Sequence, residues 1–232
     1  SKPELDSLQL HWAQTRFQQL QERIPALDAL AEKQGVKIIT DFETLATILF
    51  THQVYKNYPF AFIERKLFTE LTRWLNKLTA HDLSMLDMRG VNTIDEWLTR
   101  LDEAGMFVFH STGTSGKLSF FPRSQTEKEA WVEGTYTFLE AFMPGIRNLH
   151  LPVFWPAYRS GRQASMRLIT HFGPALAGSE AEYHSLFNAP MSADFMSLAM
   201  RMKHAQEHGD LTAMDTIKAI FKTKGEIVTL KA

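Results

Sequence analysis

Residues 111–117 read Ser111-Thr112-Gly113-Thr114-Ser115-Gly116-Lys117, seven positions drawn wholly from Ser, Thr, Gly and Lys. That composition suits the gripping of a phosphate. Backbone N–H groups must point at the anion, so the loop needs residues such as Gly113 and Gly116 that tolerate unusual backbone angles and let the main chain approach. Hydroxyls at Ser111, Thr112, Thr114 and Ser115 add hydrogen-bond donors, and Lys117 adds a compact cation. The same residue types also make an ordinary polar turn, so composition alone leaves both readings open.

Spacing eliminates three better-known alternatives. A P-loop of the form G-x-x-x-x-G-K-[ST] fails, because Ser111 stands in place of the first glycine and Leu118 in place of the final hydroxyl. G-x-G-x-x-G has no match here, and G-x-S-x-G fails because Gly116 directly follows Ser115.

Other groups are weaker candidates. His204 and His208 sit at i and i+4, a spacing that could place two imidazoles on one metal, but Ala205 stands where H-E-x-x-H requires its general base. Two histidines on a solvated helix face are the commoner arrangement. Arg159, Arg162 and Arg167 flank Ser160-Gly161 at the start of a predicted helix, where an anion would be welcome; ordinary salt bridges are the favoured reading. Trp155-Pro156-Ala157-Tyr158 suits the wall of an acyl pocket or a core, and Met191, Met196, Met200, Met202 and Met214 read as packing. No catalytic residue and no metal ligand is assigned.

The elements that must position the loop follow from periodicity. Met106 to Phe109 is a short apolar run, as a buried strand reads, and Leu118 to Phe121 resumes an extended pattern before Pro122. A helix over 126–142 follows, ended by Pro144-Gly145. The order is therefore strand, glycine loop, strand, helix. Downstream, strands are expected over 149–155 and 182–187 and helices over 163–172 and 193–208. This alternation predicts an α/β fold with a substantially parallel sheet. Residues 1–104 read as a mainly helical N-terminal portion, with helices over 4–23, 26–34, 42–50, 64–78 and 96–104, and residues 105–232 as an α/β portion. Pro25 opens the second helix, Gly35 ends it, and Asp41 and Thr93 are caps. From residue 222 onward no helix stop is recognisable.

The chain of 232 residues balances 25 Lys and Arg against 26 Asp and Glu, which argues against a nucleic-acid backbone as partner. It contains no cysteine, which excludes disulfides, thiolate metal sites and a cysteine nucleophile within these residues. No segment approaches the roughly 20 apolar residues of a membrane span, and a cytoplasmic location is the default expectation.

The 111–117 segment resembles the phosphate loop of the adenylate-forming superfamily, whose common form is [ST]-[ST]-G-[ST]-T-G. The immediate Gly116-Lys117 junction is most similar to the phenylacetate–coenzyme A ligase branch and its acyl-protein synthetase relatives. In the other branch the lysine comes two places later, where this chain has Ser119. Upstream, Arg23-Ile24-Pro25, Lys33-Gln34-Gly35-Val36 and Tyr55-Lys56-Asn57-Tyr58-Pro59 resemble the family's N-terminal helices and proline loop in order. The resemblance covers residues 15–140. It implies ATP with Mg²⁺, a carboxylic acid substrate, an acyl-adenylate intermediate, and coenzyme A or a carrier protein as thiol acceptor, with residues 111–117 on the departing phosphates.

The family's downstream Tyr-Gly-x-[ST]-Glu motif, its ribose-binding Asp and its C-terminal Lys have no counterpart, and Lys224-Gly225-Glu226-Ile227 has the wrong order for the last. The acylated cysteine of an acyl-protein synthetase is likewise missing. The expectation is thus the N-terminal part of such a ligase, unable to turn over ATP alone. The alternative is a non-catalytic binding or scaffolding module that retains the loop as a turn.

Overall fold

The computed structural model describes residues 2–113 and 116–229, with the side chains at 221 and 223–229 excepted. Two compact units divide the chain, residues 1–91 and 92–232.

The first unit is helical. α1 spans Lys2–Leu20 and continues into a 3₁₀ turn, Gln21–Arg23. α2, Pro25–Gln34, has its proline in the first turn and ends on Gly35 with φ at 66°, where a residue without Cβ meets no penalty. α3, Phe42–Ile48, is capped by the Asp41 carboxylate, which accepts from the Thr44 N–H at 2.7 Å. Phe17, Ala31, Ile39 and Ile48 are buried together, with Leu10 and Leu27 packed against them.

The helix expected over 64–78 is two helices, α4 at Ala61–Glu64 and α5 at Phe68–Asn76. Lys66 between them has φ at 56°, a left-handed angle that no helix accommodates. Nothing in the hydrophobic spacing announced it, because Phe68, Leu71 and Leu75 keep helical period on α5 alone.

The second unit carries the glycine loop. α6, Ile94–Glu103, starts with a capping box in which Thr93 and Glu96 satisfy each other's backbone N–H groups. This helix, grouped by sequence with the N-terminal portion, belongs to the second unit. β1 (Phe107–His110) and β2 (Phe120–Arg123) pair antiparallel, Phe107 opposite Arg123 and His110 opposite Phe120. β2 begins two residues later than expected and passes through Pro122. A two-stranded sheet has only edges, and there a residue lacking an N–H is tolerated. α7, Gln125–Phe142, follows with its own capping box, Ser124 with Glu127.

β3 (Val153–Gly161), α8 (Ala164–Ala177) and β4 (Tyr183–Met191) form a parallel strand–helix–strand unit, and α9 (Ala193–His208) and α10 (Leu211–Thr229) complete the chain. The expected strand over 149–155 begins later and runs to Gly161. α10 covers most of the stretch that gave no helix stop. The fold is thus mixed α/β, but the substantially parallel sheet is not observed. Among the described residues two sheets of two strands stand instead, with one isolated parallel bridge between His110 and Gln163. Connection length gives the reason: residues 111–119 are too few for a parallel crossover, whereas residues 162–182 hold a helix and allow one.

The second unit's core forms where α6 meets the hairpin. Trp97, Leu98, Leu101, Met106, Val108, Leu118 and Phe120 are all buried, and the Trp97 and Phe120 rings meet edge to face at 4.9 Å. On the other hairpin face Phe109 stacks on Phe121 at 5.3 Å and meets Trp131 of α7 at the same distance.

Candidate functional site

The glycine loop is the connection of the β1–β2 hairpin, so its ends are held by strand pairing. At its neck the Ser111 N–H donates to the Ser119 carbonyl at 3.0 Å. The Ser111 hydroxyl oxygen accepts from the Ser119 N–H at 3.0 Å and from the Gly113 N–H at 3.3 Å. A hydroxyl that accepts twice still has its own O–H to donate. The Gly116 N–H closes a turn onto the Gly113 carbonyl at 2.8 Å. Both glycines are left-handed, with φ at 71° and 77°. A side chain at either position would carry a steric cost of about 1–2 kcal/mol.

Space is short as well as angle. A Cβ on Gly113 would lie 2.9 Å from Cδ2 of Leu118, which is buried, and one on Gly116 would lie 3.1 Å from Cβ and Cγ of His204. The loop is therefore seated on α9, a partnership that sequence spacing did not disclose. Thr112 is exposed and Lys117 half-buried, while Thr114 and Ser115 lie outside the described residues.

His204 and His208 stack face to face, centroids 4.1 Å apart, and Nδ1 of His208 donates to the His204 carbonyl at 2.8 Å. Stacked rings turn their faces, not their nitrogen lone pairs, toward one another. Among the described residues no group of three or more His, Cys, Asp or Glu is placed to hold a metal.

The three arginines form ion pairs, as the favoured reading expected. Arg159 bonds the Glu180 carboxylate and the Tyr183 carbonyl, each at 2.5 Å. Arg162 and Arg167 share Asp102 at 3.3 and 2.9 Å, and Arg162 also bonds the Thr99 hydroxyl at 2.7 Å.

Two groups near the hairpin were missed in the sequence. His110 ends β1 immediately before the loop and is fully buried. Its Nδ1 donates to the Ser111 carbonyl at 2.8 Å, and its Nε2 has no hydrogen-bond partner among the described residues. Burial pushes its pKa below the usual 6.5, an effect that the Ser111 carbonyl opposes. The signal was available: strand alternation puts His110 on the same inward face as Val108.

The second group is a clasp between helix starts. The Asp95 carboxylate accepts from the Ser192 hydroxyl at 2.5 Å and the Ala193 N–H at 2.9 Å, at the start of α9. The Asp194 carboxylate accepts from the Ile94 and Asp95 N–H groups at 3.1 and 3.0 Å, at the start of α6. Each helix caps the other.

No described helix is long and apolar enough to cross a membrane. No family model, no curated protein and no solved structure matches the chain.

Proposed function

We propose that the chain is the phosphate-gripping part of an ATP-dependent ligase that activates a carboxylic acid as its acyl-adenylate and passes the acyl group to a thiol, coenzyme A or a carrier protein. The observation that carries the reading is the 111–117 loop itself, with two left-handed glycines, between hairpin strands and followed by a capped helix. That is the setting in which the resembling loop works. Loop N–H groups, hydroxyls and Lys117 would hold the β- and γ-phosphates while the substrate carboxylate attacks the α-phosphorus and pyrophosphate departs. The contribution is electrostatic positioning, largest where charge develops on the leaving group. The loop carries no carboxylate, so Mg²⁺ fits here only as it arrives, on the phosphate oxygens of the nucleotide.

One observation favours the alternative, a non-catalytic module. The N–H groups of Gly113, Gly116 and Ser119 are already engaged within the loop, as a plain turn would have them. Calorimetric titration of the intact chain with MgATP and with pyrophosphate separates the two. Saturable binding, weakened about tenfold in Lys117→Ala, supports the nucleotide reading. No saturable binding at millimolar ligand, or the same affinity after the substitution, leaves only the turn.

A further inference from the structure

A cleft of about 570 Å³ lies in the second unit, a size ordinary for small-molecule sites. Ser160 and Gly161 at the end of β3 and Pro190 and Met191 at the end of β4 line it, so it sits at the carboxyl ends of the parallel strands. Open α/β sheets bind their ligands in that place.

Its charged lining is Lys128, Arg162 and Arg167 against Asp95 and Asp102. Asp95 is committed to the start of α9, and Asp102 lies between both arginines and offsets one of their charges, so three cations face two carboxylates. The balance left in the cleft is cationic. Arg167 is the informative residue. Its side chain is only 12% exposed, and one Nη donates to Asp102 and to the Val108 carbonyl at 2.6 Å. Its Nε is buried with no hydrogen-bond partner among the described residues. A buried guanidinium donor left unsatisfied is costly, so a small shift of the guanidinium toward a ligand acceptor in the cleft replaces a loss with a charge-assisted bond. The Phe107 ring holds the cations in place, with the Arg167 guanidinium 4.2 Å and the Lys128 ammonium 5.2 Å from its centroid. Burial also pushes the Arg167 pKa down, with the hydrogen bond to Asp102 opposing.

We propose that this cleft binds a small organic oxyanion, a carboxylate or a phosphate monoester, gripped by the Arg167 guanidinium with Lys128 and Arg162 beside it. The aromatic and methionine lining of Phe107 and Met191 suits the organic part of such a ligand. The cleft shares no residue with the glycine loop, so the inference stands apart from the nucleotide reading, and its test uses no nucleotide.

The test is methyl NMR on the intact chain labelled at methionine, with the Met191 signal assigned by its loss in Met191→Leu. Benzoate, phenyl phosphate and the neutral benzyl alcohol are titrated separately. A saturable shift of Met191 is expected with at least one anion and not with the alcohol, and the anion that binds identifies the headgroup. Arg167→Lys, which keeps the charge and loses the planar fork, is expected to weaken binding about tenfold. Lys128→Gln is expected to weaken it roughly twofold to fivefold, and it decides alone if the arginine variant fails to fold. The proposal is overturned by no saturable shift with either anion, by an equal response to benzyl alcohol, or by wild-type affinity in the folded variants.

Discussion

Replacing Gly116 tests the loop geometry and its proposed chemistry together. Gly116→Ala places a Cβ at φ 77°, which costs about 1–2 kcal/mol in an L-residue. The same Cβ lies 3.1 Å from Cβ and Cγ of His204, inside the roughly 3.5–4.0 Å of comfortable carbon contact. His204 is exposed, so its ring can swing aside, but its Cβ is fixed to α9. The two effects together set the loss of stability at about 2 kcal/mol for Ala, and at about 3–5 kcal/mol for the branched Val. Urea unfolding reads this directly. His204→Ala removes the ring but keeps the Cβ at 3.1 Å and leaves the backbone angle unchanged, so Gly116→Ala in that background is expected to regain only the ring's share of the contact and to keep the angular part. MgATP titration then separates packing from chemistry. Gly116→Val is expected to lose ATP affinity even where His204→Ala recovers part of the stability, because the side chain blocks the approach of the main chain to phosphate. A Gly116→Ala protein as stable as the parent would refute the left-handed seat on α9. A folded Gly116→Val protein that binds ATP normally would refute the phosphate grip.

Three further outcomes follow from other parts of the molecule. Asp95→Ala and Asp194→Ala each unbind a helix start and are expected to cost about 1–3 kcal/mol, with a coupling energy above about 0.5 kcal/mol in the double variant; strict additivity in urea unfolding would show that the two caps act separately. Burial lowers the pKa of folded His110 below its ordinary 6.5, so below that pH the unfolded chain binds this proton more readily than the native chain does. Stability is then complete above that pH and falls below it, by up to about 1.4 kcal/mol per pH unit, and His110→Leu should flatten the profile just below pH 6.5. Lys66→Gly relieves a left-handed lysine at φ 56° and is expected to stabilise the first unit by about 0.5–1 kcal/mol, measured as a rise in the urea midpoint.

What could be read along the chain was local. Pro25 and Gly35 bound α2, Asp41 and Thr93 cap their helices, and the short apolar run before Ser111 is β1 because each signal acts within a few residues. The partners that complete the second unit are remote and leave no periodic trace. Asp102 meets Arg167 across 65 positions, and His204 lies under Gly116 only because α9 folds back to the hairpin. The parallel sheet was over-read for a related reason: alternation of strands and helices says nothing about which strands pair. The brevity of the 111–119 connection did say so for β1 and β2. Lys66 escaped because a left-handed angle at a non-glycine residue has no compositional mark.

The mutual capping of α6 and α9 also bears on the order of folding. Its hydrogen bonds join residues 97 to 100 positions apart, across the hairpin, α7 and the strand–helix–strand unit. Closing a loop that long before the intervening elements are placed carries a large entropy cost with only a few bonds in return. The clasp is therefore expected to form after the transition state, and weakening it to accelerate unfolding while leaving the folding rate nearly unchanged. Two aspartates at helix starts thus act as a latch on the lifetime of the folded second unit.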